Sequence, residues 1–202
     1  NGKHFIWAEF INTLFIKEYD YFMTSEYVLI HLVGADYFER LSKQFPDDVN
    51  KVVDDECNEE SSNEGIDKGR VHIKNRVSNY QNHLELYNQI DIALDTFPYN
   101  GTTTTFEALW MGVPVITEKG DRHASSVGAS ILTNLGLQNF IAKDLNEYID
   151  LAKKFTGNPD YLQKLRLGLR EKLKKSILCN GVTFTKNIEY AYKFIYEDYF
   201  GK

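Results

Sequence analysis

Sulfur is scarce in this chain, with two cysteines and two methionines among 202 residues. The cysteines, Cys57 and Cys179, lie far apart, one in an acidic stretch and one beside a predicted turn. Such a pair supports neither a disulfide framework nor a zinc site, which needs more ligands close by. A reducing, cytoplasmic setting is the expectation. Positive charge is also in short supply: 23 Lys and Arg stand against 29 Asp and Glu, a formal net charge of −6. Proteins that grip nucleic acid do so with a basic face, and no basic run or nucleic-acid motif occurs, so no nucleic-acid partner is expected. Long hydrophobic runs are missing as well. The richest, residues 5–16, is too short to span a bilayer, contains Glu9, and lacks the basic start and small-residue cleavage site of a signal peptide. No membrane association is expected. The chain opens on Asn1 instead of methionine and reads as a fragment or a processed piece.

The familiar catalytic signatures are absent too. There is no G-x-S-x-G elbow, no H-E-x-x-H pair, no Walker A sequence and no G-x-G-x-x-G. No two aspartates lie two residues apart, so a metal-holding Asp-x-Asp site is not expected. A bound diphosphate would have to be neutralised by helix N-termini and cationic side chains.

What is present is an ordinary globular composition, 43% apolar, in a length suited to one large α/β domain over residues 1–202. Residues 8–17 read as an aromatic-rich amphipathic helix. YVLIHLV, residues 27–33, is a short apolar run closed by Gly34 and suits a buried strand. Residues 36–45 look helical and stop at Pro46. Residues 47–64 are acidic and polar without a sustained period, which predicts a solvated insertion. Beyond it, strands at 70–73, 90–94, 113–117 and 140–142 alternate with helices at 79–88, 103–111 and 124–134. Asp144 with Glu147 resembles a capping box, and Asn158 with Pro159 is a good N-cap and first-turn pair. In the helix that follows, Leu162, Leu165, Leu169 and Leu173 fall on one face. The last helix, 184–199, is unusually aromatic. This alternation predicts a parallel sheet covered by helices on both faces.

Ligands of such sheets bind beyond the carboxyl ends of the strands. The segment DIALDTFPYNGTTTTFEALWMGVPVIT, residues 91–117, fits that rule: a strand ends in Asp95, a turn contains Pro98, Asn100 and Gly101, and a helix opens among threonines. A helix's first turn has unpaired N–H groups and a partial positive charge, which suit a diphosphate. Gly101 allows close backbone approach, the threonine hydroxyls add donors, and Glu107 lies within reach of ribose hydroxyls. The same residues also suit the capping of an ordinary helix. A second loop of the same form, GDRHASSVGAS at 120–130, carries Arg122 and His123, which either face an anion or are plain exposed loop residues. Its Ala124, Ser125, Ser126, Gly128 and Ala129 suit tight packing of helix on sheet. His83 precedes the 90–94 strand, at a place where a lone histidine is ordinarily structural or exposed.

The strings YNQIDIALDTFPYNGTTTTFEALWMGVPVIT and GDRHASSVGASIL, continued by NFIAKDLNEYIDLAKKFTGNPDYLQKLRLGLREKL, resemble the C-terminal half of O-GlcNAc-transferase (SPINDLY-like) enzymes. Bacterial members with tetratricopeptide repeats look nearest, and the resemblance runs from about residue 65 to the C-terminus. It implies a GT-B fold, two Rossmann-like domains facing across a cleft, with the C-terminal one holding a UDP-sugar. It implies inverting transfer to a Ser or Thr hydroxyl of an acceptor protein, with no metal and no cofactor besides the donor. By the same resemblance Asn100, Gly101, Thr102, Thr103 and Thr104 hold the diphosphate. Glu107 contacts ribose where the family usually has Asp, and His83, eight residues before Asp91, contacts the nucleotide. Animal members carry a histidine where this chain has Thr102. The family's lysine, which follows the first strand of this domain and neutralises the leaving diphosphate, is matched by Lys3 through its spacing to the following helix. The strand before it is expected to be missing, together with the N-terminal GT-B domain and the repeats. The expectation is therefore the UDP-binding half of a protein O-glycosyltransferase, inactive by itself. Its rivals are a protein N-glucosyltransferase, a sugar other than GlcNAc, and a non-catalytic nucleotide- or partner-binding remnant.

Overall fold

A strand buried on both faces reads as an unbroken apolar run, because neither side of its pleat meets water. The computed structural model describes residues 5–9, 27–31, 71–73 and 79–201. Within them the strands are β1 (Phe5–Glu9, FIWAE), β2 (Tyr27–His31, YVLIH), β3 (Val71–Ile73), β4 (Ile92–Leu94), β5 (Val115–Glu118) and β6 (Ile141–Ala142), of which β4 is buried along its length and β5 at all but its last residue. They make one sheet in the order β3-β2-β1-β4-β5-β6, every pair parallel. That is the strand order of doubly wound nucleotide-binding sheets, whose topological switch point falls between β1 and β4. Ala8 pairs with Leu94 across that point, and Leu94 with Ile116 on the other side.

Two expectations for the N-terminus are corrected by β1. The strand expected to be missing is present and sits in the middle of the sheet, and the helix expected over 8–17 does not begin at Ala8, which pairs with Ile30 and Leu94. A short aromatic and β-branched run suits either a buried strand or a buried helix segment, and periodicity alone does not separate them. Lys3 therefore stands before the first strand, whereas the resemblance calls for a lysine after it. Lys3, Cys57, the helix expected over 36–45 and the acidic stretch 47–64 all lie outside the described residues.

The helices begin where the sequence supplies caps. α1 (Tyr80–Leu86) starts at Asn79, whose side chain accepts the Gln81 N–H. α2 (Thr103–Trp110) and α3 (Val127–Asn134) follow β4 and β5, and α3 is closed by Gly136 at φ 64°. At α4 (Leu145–Thr156), Asp144 accepts the Glu147 N–H at 2.9 Å. Glu147 in turn accepts the Lys143 N–H at 2.9 Å, one residue further back than in the usual capping box. α5 (Pro159–Lys175) opens on Asn158 with Pro159 in its first turn. Its Leu162, Leu169 and Leu173 are buried and Leu165 packs against the core. Each fully buried leucine contributes about 1.5–3 kcal/mol, so Leu169→Ala alone should loosen this helix. Arg166 fixes it to the start of β4 through the Ile90 carbonyl and an ion pair with Asp91 at 3.7 Å. α6 (Gly181–Phe200), the longest helix described, has no buried residue, a feature it shares only with the short α1 among the described α-helices. Among the described residues no helix is long and apolar enough to cross a membrane.

Candidate functional site

β4 carries the chain to the carboxyl edge of the sheet at the switch point, and the residue that follows it, Asp95, is only 7% exposed. Its Oδ1 accepts the Gly101 N–H at 2.7 Å and its Oδ2 the Thr117 hydroxyl at 2.6 Å, while its backbone carbonyl accepts the Tyr148 hydroxyl at 2.7 Å. Burial pushes the Asp95 carboxyl up to about 7, against the opposing pull of its bonds from Thr117, Gly101 and Thr96. A carboxyl shifted this far by desolvation marks a place where the fold tolerates a costly group.

Between Asp95 and α2 runs a tightly bonded turn with a cis Phe97–Pro98 peptide. The Thr96 hydroxyl donates to the Tyr99 carbonyl. Asn100, 1% exposed, is held at every polar atom of its side chain: Nδ2 donates to the Thr96 carbonyl at 2.8 Å and Oδ1 accepts the Gly128 N–H at 3.3 Å. Its backbone N–H donates to the Ala124 carbonyl at 2.8 Å. Asn100 thus ties this turn to the start of α3. The Thr105 hydroxyl, also buried, bonds the Gly101 carbonyl at 2.9 Å.

What the turn leaves open is the end of α2. Thr102 makes no side-chain cap, and the first α-helical bond runs from the Phe106 N–H to the Thr102 carbonyl. The amides of Thr103, Thr104 and Thr105 therefore precede the helical ladder with no side chain capping them, an arrangement that attracts anions. Thr102 and Thr103 are exposed and Thr104 half-buried, so two of the hydroxyls face solvent beside those amides.

A second group of side chains lies one turn along α2. His83 Nε2 and Glu107 Oε2 are 2.9 Å apart, with side-chain exposures of 17% and 11%. The Tyr87 hydroxyl also donates to Glu107 at 3.4 Å, and its ring meets the His83 ring edge-on at 5.6 Å. The Glu107 charge, with burial and a hydrogen bond adding to it, pushes the exposed Tyr80 phenol up from its ordinary value. His83 and Glu107, predicted separately, are thus brought together. Tyr87 was not anticipated; its place one helical turn after His83 was the available signal.

The second strand-to-helix turn is built differently. The Gly120 N–H bonds the Ser125 carbonyl at 2.7 Å, the Ser126 hydroxyl the Gly120 carbonyl at 2.9 Å, and the buried Ser125 hydroxyl the Arg122 carbonyl at 3.2 Å. Arg122 and His123 are exposed. Gly128, in the first turn of α3, lies so close to Asp95 Oδ2 and Thr117 Oγ1 that an added Cβ would overlap both. The small residues of this stretch serve the close packing expected of them.

Comparison with known proteins agrees with this fold. A family model described as Glycosyl transferase family 41 matches residues 44–188. A Solanum lycopersicum protein named "Probable UDP-N-acetylglucosamine--peptide N-acetylglucosaminyltransferase SPINDLY" is 42% identical over 135 residues, 67% of this chain and 14% of its own length. A Caenorhabditis elegans UDP-N-acetylglucosamine–peptide N-acetylglucosaminyltransferase is 33% identical over 102 residues, 50% of this chain and 9% of its own. The solved structure of a Thermobaculum terrenum O-GlcNAc transferase mutant superposes on 98% of this chain with a TM-score of 0.80 at 28% identity, and 37% of that protein is covered. The chain therefore spans about one seventh of the length of the plant relatives it matches.

Proposed function

The chain belongs to glycosyl transferase family 41, and from that premise we propose that it forms the donor-binding half of a UDP-sugar-dependent protein O-glycosyltransferase. The observation that carries this reading is the uncapped N-terminus of α2 at the switch point, with His83 and Glu107 paired at 2.9 Å one turn further along. In the proposed complex the diphosphate lies against the amides of Thr103 and Thr104 and the exposed threonine hydroxyls. Glu107 and His83 take the ribose and the adjoining part of the nucleotide. Asn100 and Gly101 act through the shape of their turn.

Sugar transfer leaves negative charge on the departing UDP. Fixed amide dipoles aimed at that position stabilise the charge without reorganising during the reaction. With Lys3 preceding β1 in the sequence, α2 carries this task in the proposal, and neither a metal nor another cofactor is assigned to it. The acceptor hydroxyl and the group that removes its proton are assigned to the remainder of the full-length protein, the N-terminal GT-B domain and repeats. Because such positioning is worth about 7–11 kcal/mol, the 202 residues alone should bind donor without transferring it.

Calorimetric titration of the chain with UDP, UMP and GDP tests the reading. UDP should bind more tightly than UMP, and an acceptor protein added with UDP-GlcNAc should remain unmodified. Equal affinity for UDP and UMP would show that the second phosphate goes unread and would sink the proposal. Tighter binding of GDP would keep the diphosphate turn and reassign the donor.

A further inference from the structure

Asp95 has no role in the chemistry above, yet three chain segments converge on its carboxyl. Gly101 brings the turn before α2, Thr117 brings β5, and Gly128 brings the first turn of α3, which packs against Oδ2 closely enough to exclude a Cβ. Among the described residues Asp95 forms no ion pair. A buried carboxylate without a cation is unstable relative to its neutral form, and an anion placed nearby makes it more so.

We propose that Asp95 is the positioning residue of the diphosphate site: its carboxyl locks the start of α2 to β5 and α3, and it takes up a proton from solvent when the anionic ligand docks. The inference rests on the reading of the α2 turn as a diphosphate site. When ionised, Oδ1 and Oδ2 accept from Gly101 and Thr117. When neutral, Oδ2 carries the proton and donates to Thr117 Oγ1, which reverses that bond and leaves Gly101 on Oδ1. The clamp therefore holds in both states, and the ligand's charge selects the neutral one.

Few other charges bear on this carboxyl. α3 brings no titratable side chain, and α2 brings Glu107. β5 brings Glu118, and α4 brings Glu147, Asp150 and the Tyr148 hydroxyl, which binds the Asp95 carbonyl. α4 also carries Lys153 and Lys154 in its last turn, and it is burial that raises Asp95. The folded value of about 7 lies above the ordinary 3.8. The stability Asp95 contributes is thus complete below the ordinary value and is lost as pH rises through about 7. Diphosphate affinity follows the same sign, strengthening as pH falls.

The test uses the whole chain with UDP-GlcNAc, whose diphosphate diester does not ionise near neutrality. Affinity is measured from about pH 6 to about pH 8 in buffers of different ionisation enthalpy, while the Gly101 amide resonance is followed without ligand. The wild type should take up a proton on binding and weaken about three- to tenfold across that range, and its Gly101 amide should titrate near pH 7. Asp95→Asn, which keeps an oxygen for Gly101, should lose the Asp95 share of the pH dependence, with no proton uptake at this position and a flat Gly101 resonance. Because the site also contains His83, the difference between wild type and D95N is the readout. Thr117→Val, which removes a bond that lowers Asp95, should move the Gly101 midpoint upward even if D95N folds poorly. An unchanged pH profile in D95N, or a Gly101 amide that does not titrate in the wild type, would overturn the proposal. A titrating Gly101 with no binding at any pH would instead overturn the diphosphate reading, and with it the coupling.

Discussion

The two turns that follow β4 and β5 start from the same kind of sequence, a strand, a glycine, a run of small hydroxyl residues and an eight-residue helix. Their hydrogen bonds go to different ends. After β5 the polar groups bond one another, Gly120 with Ser125, Ser126 with Gly120 and Ser125 with Arg122, and the Gly128 amide is taken by Asn100 of the first turn. After β4 the anchors lie below the turn, in Asp95, Asn100 and Thr105, and the amides at the head of α2 face outward without a cap. A hydroxyl-rich turn becomes a binding site when its hydrogen bonds are supplied from underneath and its own amides are left over. When its groups are taken up within it and by the neighbouring turn, it is a packing element.

The sharpest way to break this comparison is to disturb the place where the turns meet. Gly128→Ala puts a methyl group into Asp95 Oδ2 and Thr117 Oγ1, both buried. Overpacking of that kind costs about 1–3 kcal/mol, which chemical denaturation will read directly. Gly101→Ala meets chiefly the Thr104 hydroxyl, 2.6 Å from the added Cβ, at the end of a half-buried side chain that can rotate away. Its cost should fall near the ordinary value for point substitutions, about 1 kcal/mol. Equal losses for the two glycines would mean that the second turn is no more tightly packed than the first.

A smaller effect separates ligand contacts from scaffold. His83→Ala should weaken UDP binding by about 0.5–1.5 kcal/mol, the value of one hydrogen bond, with the thermal transition little changed. His83 is half-buried on a short surface helix, so the fold does not depend on it as it does on Tyr87 or Ile90 beneath. A variant that melts early yet binds UDP normally would return His83 to a structural role and leave Glu107 with a partner of no functional meaning.

Much of this arrangement was legible before the fold was known, and the exceptions share a cause. β2, β4, β5 and β6 announced themselves as short apolar runs between helix caps, and Asn158 with Pro159 and Asp144 with Glu147 did begin helices. β1 was not legible, because Phe5, Ile6 and Trp7 suit either a strand or a helix once both faces are covered, and only pairing with β2 and β4 decides. The segment from Asn100 to Glu107 was legible as a place. Its internal division of labour was not: Asn100 and Thr105 are tied inward while Thr102 and Thr103 are exposed. Asp95 could be read as a strand end, but its bonds to Gly101 and Thr117 arise from residues six and twenty-two positions away, a closeness that no local pattern encodes. α6 shows the same limit from the other side. Its sequence is unusually aromatic, yet Phe184, Tyr192 and Tyr199 are all exposed.

The smallest effect is expected at Arg122, and it tests the quiet half of the comparison. Arg122 has the right charge for a diphosphate and sits in a strand-to-helix turn, which is why sequence alone left it a candidate. In the structure its backbone is held by Ser125, through the amide at 3.3 Å and the carbonyl at 3.2 Å, and its residue is exposed. The guanidinium makes no ion pair among the described residues. Removing an exposed side chain of this kind changes stability within about 0.5 kcal/mol in either direction, and Arg122→Ala should leave both the melting temperature and UDP affinity where they were. The informative measurement is salt dependence, because an exposed charge acting at a distance is screened within about 8–10 Å at ordinary ionic strength. If R122A weakens UDP binding at low salt and the loss fades as salt is added, the second turn contributes long-range attraction after all. A loss that persists at high salt would mean direct contact, and the division between a binding turn and a packing turn would have to be redrawn.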